Sequence, residues 1–260
     1  MITRAIESTG SRAIAFVEEF GKVSVILGRG FANIFRRPMR LRLIIQQMEF
    51  IGVQSLPIIM LSSAFTGAVF TLQSYQAFHM FSAESLVGGT VAVALTRELG
   101  PTLTGLLVAG RAGSAMAAEI GAMRVSEQID ALDAMGVDPI NYLVKPRLIA
   151  SIVMTPVLTA VFDLVGVLGS YTVAMGPLGM SYPAFMTNLK DWVDPYDINS
   201  GLFKALIFGV IIGAVSCYKG FYTKGGAVGV GKATTSSVVV SSVAILVSNF
   251  FIAYFLPAEA

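Results

Sequence analysis

The sequence predicts an all-α integral membrane protein, and three observations carry that prediction. The 260 residues are 55% hydrophobic and only 13% charged, with a mean hydropathy of +0.73, more apolar surface than a soluble domain of this size can hide. Apolar runs recur at or beyond the roughly 20 residues that a bilayer-spanning helix requires. The Lys and Arg residues gather near the ends of those runs, and a net charge of +2 gives no ground for a nucleic-acid partner. One cysteine, Cys217, permits no internal disulfide, and with a single histidine, His79, no Cys/His metal site is expected. No catalytic residue and no cofactor is expected either.

Taken in order, the chain begins with Arg4, Glu7 and Arg12 interrupting its first apolar residues, so no cleavable signal peptide is expected and the N-terminus should stay attached, on the cytoplasmic side. Residues 1–37 read as an amphipathic helix lying in the membrane interface. Phe16, Phe20, Val23, Leu27, Phe31 and Ile34 repeat at helical spacing, opposed by Arg12, Glu19, Lys22, Arg29, Asn33 and Arg36. The cluster RRPMRLR then holds the start of the first span in the cytoplasm. Five membrane segments follow, over residues 48–81, 86–123, 147–175, 201–222 and 233–257, with the C-terminus outside.

The first segment is long enough that it must tilt, bend at Pro57 or project. Its far half places Phe70, Gln73, Ala77, Phe78 and Phe81 near one face, mixing aromatic surface with a polar group, as a wall touching acyl chains and a head group would; ordinary helix packing accounts for the aromatics equally well. His79 falls at the water boundary. In the second segment Arg97 and Glu98 arrive with apolar sequence on both sides, where ionisable groups normally face a bundle interior or a wet cavity. Gly100 and Pro101 suggest a helix break that aims them there; the alternative is charge pairing, with each other or with neighbouring helices. Ala109, Gly113, Ala117 and Gly121 recur every fourth residue, the spacing that lets two membrane helices meet backbone to backbone. Arg111 and Glu119 lie too far apart for an assured pair. Asp163, inside the third segment, is expected to play a hydrogen-bonded structural role, since no chain of Asp, Glu or His accompanies it.

Residues 176–200, with Trp192, Lys190, Asp191, Asp194 and Asp197, form an outer loop region. Lys204 either snorkels or completes a charged patch with Glu98. Lys219, Lys224 and Lys232 mark the return to the inner side, as do Lys145 and Arg147 earlier. The stretch GAVGVGKA, residues 226–233, nearly spells a phosphate-binding loop, but Ala233 lacks the hydroxyl that reaches magnesium and no α/β domain surrounds it; it reads as a flexible glycine linker.

Between the second and third segments, residues 125–138 read as a short acidic helix. Val125, Ile129, Leu132 and Met135 make one apolar stripe, Glu127, Asp130 and Asp133 flank it, and Gly136 and Pro139 stop it. The pattern suits a plug for another protein, with Glu127, Gln128, Ile129, Asp130, Leu132, Asp133 and Met135 as its contact residues.

The block RELGP, then AGRAGSAMAAEIGAMRVSEQIDALDAMGVDPI, then KPR, over Arg97 to Arg147, resembles the MlaE-type permease, the membrane subunit of an ABC transporter that moves phospholipids between Gram-negative inner and outer membranes and maintains outer-membrane lipid asymmetry. The resemblance implies a multi-pass inner-membrane homodimer with a lipid cavity at its interface. It further implies two copies of a cytoplasmic ATPase, an MCE-domain lipid-binding protein on the periplasmic side and a small STAS-like cytoplasmic protein. Residues 125–138 would be the coupling helix, and Phe70, Gln73, Ala77, Phe78, Phe81, Arg97, Glu98, Leu99 and Lys204 the phospholipid-contacting set. Two other classes stand beside it. A membrane-embedded lipid-metabolising enzyme would need convergent catalytic groups, and Arg97, Glu98, His79 and Asp163 show no catalytic spacing. A secondary transporter would need internal repeats with matching broken helices, which these unlike segments do not show.

Overall fold

The computed structural model describes residues 40–255 together with Gly21 and Gly28, so the interfacial helix expected over residues 1–37 lies outside the described residues apart from those two positions. Among the described residues the chain is helical, without strands. Five helical runs among the described residues are long and apolar enough to cross a membrane: Leu41–His79, Glu84–Val125, Ile140–Met175, Pro195–Phe221 and Gly226–Phe255.

The first run consists of α1 (Leu41–Ile51) and α2 (Leu56–His79), separated by a 3-10 turn at Val53–Ser55. The irregularity therefore precedes Pro57, which sits in the first turn of α2 where a missing N–H costs nothing. The second run contains α3 (Val87–Ala94), α4 (Gly100–Val108) and α5 (Ser114–Val125), joined by π turns at Leu95–Leu99 and Ala109–Gly113. The break expected at Gly100–Pro101 is thus a widened turn. Gly100 donates its N–H to the carbonyl of Leu95, five residues back, and Pro101 falls in the first turn of α4, so the helix continues without interruption.

Beyond α5 the chain passes through Glu127 at φ 59° into α6 (Gln128–Ala134), which ends where Gly136 adopts φ 73°. A third π turn, Ile140–Val144, leads into α7 (Lys145–Met175). The acidic helix is shorter than the sequence pattern suggests, because Val125 belongs to α5. Three further differences lie on the later half. Helix α8 (Tyr182–Trp192) occupies part of the region read as outer loops, and α9 (Pro195–Phe221) begins ahead of residue 201 with a capping box formed by Asp194 and Asp197. The glycine-rich stretch read as a flexible linker is the start of α10 (Gly226–Phe255): Gly225 at φ 91° and Gly226 at φ 65° make the turn, and the glycines after them wind into helix. At a membrane boundary a helix satisfies its own backbone, whereas a linker leaves it open.

The helices meet through small residues. Along α2 and α7, which run parallel, a methyl placed on Gly67 would sit 2.0 Å from the Gly166 carbonyl oxygen, Ser63 donates to the Phe162 carbonyl, and the Thr71 and Ser170 hydroxyls lie 2.5 Å apart. Helix α9 crosses α7 antiparallel at Gly209, where a methyl would meet the Ser151 carbonyl oxygen at 2.5 Å. The seam Ala109–Gly113–Ala117–Gly121 faces α9 and its end in the same chain: a methyl on Gly113 would lie 2.9 Å from Ser216 Oγ, and one on Gly121 2.9 Å from Thr223 Oγ1. Large apolar side chains fill the middle, Ile59, Leu95, Leu158, Phe162, Phe208 and Ile212 among them, all fully buried. Helix α10 leaves Val243, Leu246, Phe250 and Phe251 exposed.

Candidate functional site

The site grows from the first π turn. Pro101 has no N–H to give the carbonyl of Arg97, and Lys204 of α9 fills that gap: its Nζ donates to Arg97 O at 3.0 Å and to Glu98 Oε1 at 2.5 Å. Asn249 of α10 donates to the other Glu98 oxygen at 3.0 Å. Arg97 Nε pairs with Asp197 Oδ1 at the start of α9, while Asp197 Oδ2 accepts the Asp194 backbone N–H at 3.1 Å. Two cations and two carboxylates therefore balance between the π turn and α9, and the neutral Asn249 brings in α10. They are not equally buried: Lys204 and Asp197 are 2% and 1% exposed, whereas the side chains of Glu98 and Arg97 remain 44% and 29% exposed. The buried partners act as anchors, and the rim presents one carboxylate beside one guanidinium.

Beside this rim, Phe65, Thr66, Val69, Phe70, Gln73 and Leu99 line an open groove of about 390 Å³. It is apolar apart from Thr66 and Gln73, and Leu99 joins it to the π turn. Of the residues singled out in the sequence, Phe70, Gln73 and Leu99 come together here, with Arg97 and Glu98 on the same turn as Leu99. Ala77 and Phe81 continue the exposed face toward the C-terminal end of α2, Phe81 standing 79% exposed at the turn, and Phe78 packs half-buried against the core. Lys204 lies behind the rim rather than in it. Phe65 and Thr66 escaped the sequence reading because they sit about a turn before Phe70, where the chosen stripe begins, and Val69 because it is the residue just before Phe70. Asp197 and Asn249 were also missed; the signals were the capping pattern DPYD and a lone amide within an apolar run.

Arg111 turns away from Glu119 and caps the end of α1, donating to the Phe50 carbonyl, to Gln54 and to Ser55 Oγ at 3.1 Å, over the Phe50 ring at 4.9 Å. A hydrogen-bonded role is expected for Asp163, yet among the described residues no partner reaches its buried Oδ1, which rests against Gly100, where a methyl would lie only 1.9 Å away. The close crossing of α4 and α7 holds it there. His79, at the C-terminal end of α2, stacks on Tyr75 and lies 2.6 Å from Glu84 Oε1.

At the opposite, basic end of the bundle sits α6. Ile129 is buried and Leu132 half-buried against Ile120, Leu143, Val144, Cys217 and Tyr218, so the inner part of the expected stripe packs on the chain itself. Met135 stays 69% exposed, and Glu127, Gln128 and Asp133 are exposed. Asp130 pairs with Arg124 at 2.5 Å. Lys145 and Arg147, read in the sequence as topology markers, are buried, and Arg147 is bound to Glu119 at 2.8 Å.

These features describe a polytopic membrane subunit with a polar-rimmed groove at one level and an acidic helix at its basic end. The family described as Permease MlaE matches residues 44–255. A probable ABC transporter permease protein of Rickettsia felis is 48% identical over 252 residues, covering 97% of both chains. The intermembrane phospholipid transport system permease protein MlaE of Haemophilus influenzae is 37% identical over 258 residues, with 97% of each covered. The chloroplastic protein TRIGALACTOSYLDIACYLGLYCEROL 1 of Arabidopsis thaliana is 41% identical across 90% of this chain and 67% of its own. The chain belongs to the MlaE permease family and is a multi-pass membrane permease of the ABC-transporter type.

Proposed function

We propose that this chain is the inner-membrane permease of a phospholipid transporter linking inner and outer membranes, working as a homodimer around a lipid cavity. Two cytoplasmic ATPases grip α6, an MCE-domain protein receives or delivers lipid on the periplasmic side, and a small STAS-like protein completes the cytoplasmic assembly. The N-terminus and α6 are cytoplasmic, consistent with Arg124, Lys145, Arg147 and Lys219 at that end, and the C-terminus is periplasmic. The observation that carries the reading is the rim beside the groove. Glu98 and Arg97 offer opposite charges, matching the ammonium and phosphate of a zwitterionic head group, while Phe65, Val69, Phe70 and Leu99 offer acyl-chain contact. Glu127, Gln128, Asp133 and Met135, exposed on α6, supply the docking face, with Asp130, Ile129 and Leu132 fixing its posture. ATP binding would draw the two ATPases together and move α6 as part of a rigid body, reshaping the cavity. Native mass spectrometry of the purified assembly tests this: two copies of this chain with two ATPases and retained phospholipid are expected, and a lone chain without ATPase or lipid contradicts it.

A further inference from the structure

Arg147 and Glu119 have no part in the groove and no place on the docking face, yet they join the two strands of chain that carry α6. The polypeptide enters α6 from α5 and leaves it through the π turn Ile140–Val144 into α7. Arg147, 4% exposed near the start of α7, donates through NH1 to the Leu143 carbonyl inside that π turn at 2.9 Å and through NH2 to Glu119 Oε2 on α5 at 2.8 Å. One guanidinium thus ties the entry helix, the exit turn and the exit helix together. The adjoining apolar cluster repeats the pattern, with Ile120 from the entry, Ile129 from α6, and Leu143 and Val144 from the exit.

We propose that Arg147 and Glu119 are positioning residues for coupling: their ion pair closes the base of the α6 loop, so that a force on α6 moves α5 and α7 as one body. Without it, the same force spreads the two helices apart and is spent within the loop. The side chain of Glu119 is 53% exposed, so it can be altered without opening a buried cavity, and Arg147 is the member whose removal disturbs packing. The proposal rests on α6 being the ATPase-docking element, and the two are separable by experiment. Docking is read by co-purification of the ATPase; the latch is read by phospholipid moved per ATP hydrolysed, in the assembled complex reconstituted into phosphatidylethanolamine–phosphatidylglycerol vesicles. Glu119→Gln should keep the ATPase bound and ATP hydrolysis close to its original rate, while lipid moved per ATP falls about tenfold, within the usual range of coupling effects. Glu119→Asp, which keeps a carboxylate for Arg147, should retain most of the parent's lipid per ATP. Unchanged lipid per ATP in Glu119→Gln, a Glu119→Asp variant no better than Glu119→Gln, or loss of the ATPase from the Glu119→Gln complex would each overturn the proposal.

Discussion

Replacing Lys204 with Met tests how the rim is built. The change keeps the length of an apolar stem but leaves Glu98 Oε1 without its cation and the Arg97 carbonyl, orphaned by Pro101, without a donor. A hydrogen bond to a charged group contributes about 1.5–3 kcal/mol, and an unsatisfied buried carbonyl costs about 1–3 kcal/mol. Because the Glu98 side chain is 44% exposed, water recovers part of its charge, which puts the ionic contribution at the low end and the total near about 3 kcal/mol. For a chain of this length that corresponds to a fall in thermal midpoint of about 6 °C or more. Thermal unfolding in lipid nanodiscs, followed by tryptophan fluorescence and circular dichroism, measures it, with Lys190→Met on α8 as the exposed control expected to stay near the parent. Adding Glu98→Gln to Lys204→Met should restore about half of the loss, since the carboxylate left unpaired is then neutral. A Lys204→Met midpoint equal to that of the control would refute the claim that Lys204 anchors the π turn.

Three further outcomes follow from the same geometry. Reversing Glu127 and Asp133 to Lys, with the Asp130–Arg124 pair intact, should abolish co-purification with the ATPase while the permease still reaches the membrane; unchanged association would remove α6 as the docking element. Val69→Gln inside the groove should lower the phospholipid retained after purification by severalfold, whereas Leu164→Gln on the exposed face of α7 should leave it unchanged; equal retention in both would detach the groove from lipid binding. Gly67→Ala should destabilise by about 1–3 kcal/mol, because its methyl would strike the Gly166 carbonyl oxygen at 2.0 Å, while Gly110→Ala, with open space around it, should be tolerated; comparable thermal midpoints would show that α2 and α7 do not cross where described.

The fold class was legible because hydropathy averages over whole helices, and a loss of detail at single residues does not erase it. The small-residue seam was legible for a similar reason: a period of four survives in the sequence whatever the partner, although only the fold shows that the partner is α9. What stayed hidden depended on local geometry. The π turn at Leu95–Leu99 arises from where an N–H finds its carbonyl, which no composition reports, and the break inferred from Gly100 and Pro101 was the nearest pattern available. Asp194 and Asp197 looked like loop acids until helix α9 was seen to begin between them. Arg147 was read by its charge at a membrane boundary, but its burial is decided by Glu119, an exposed-looking acid on another helix. The glycines after Gly226 signalled flexibility in isolation, and the membrane boundary gave them a helix instead.

An electron cryomicroscopy map of the assembled transporter in lipid nanodiscs puts the whole reading to its most direct trial. Phospholipid density with its head group against Glu98 and Arg97, and an acyl chain running along Phe65, Val69 and Phe70, is the predicted result. A groove free of lipid, with the carried phospholipid seated at other residues, would contradict it.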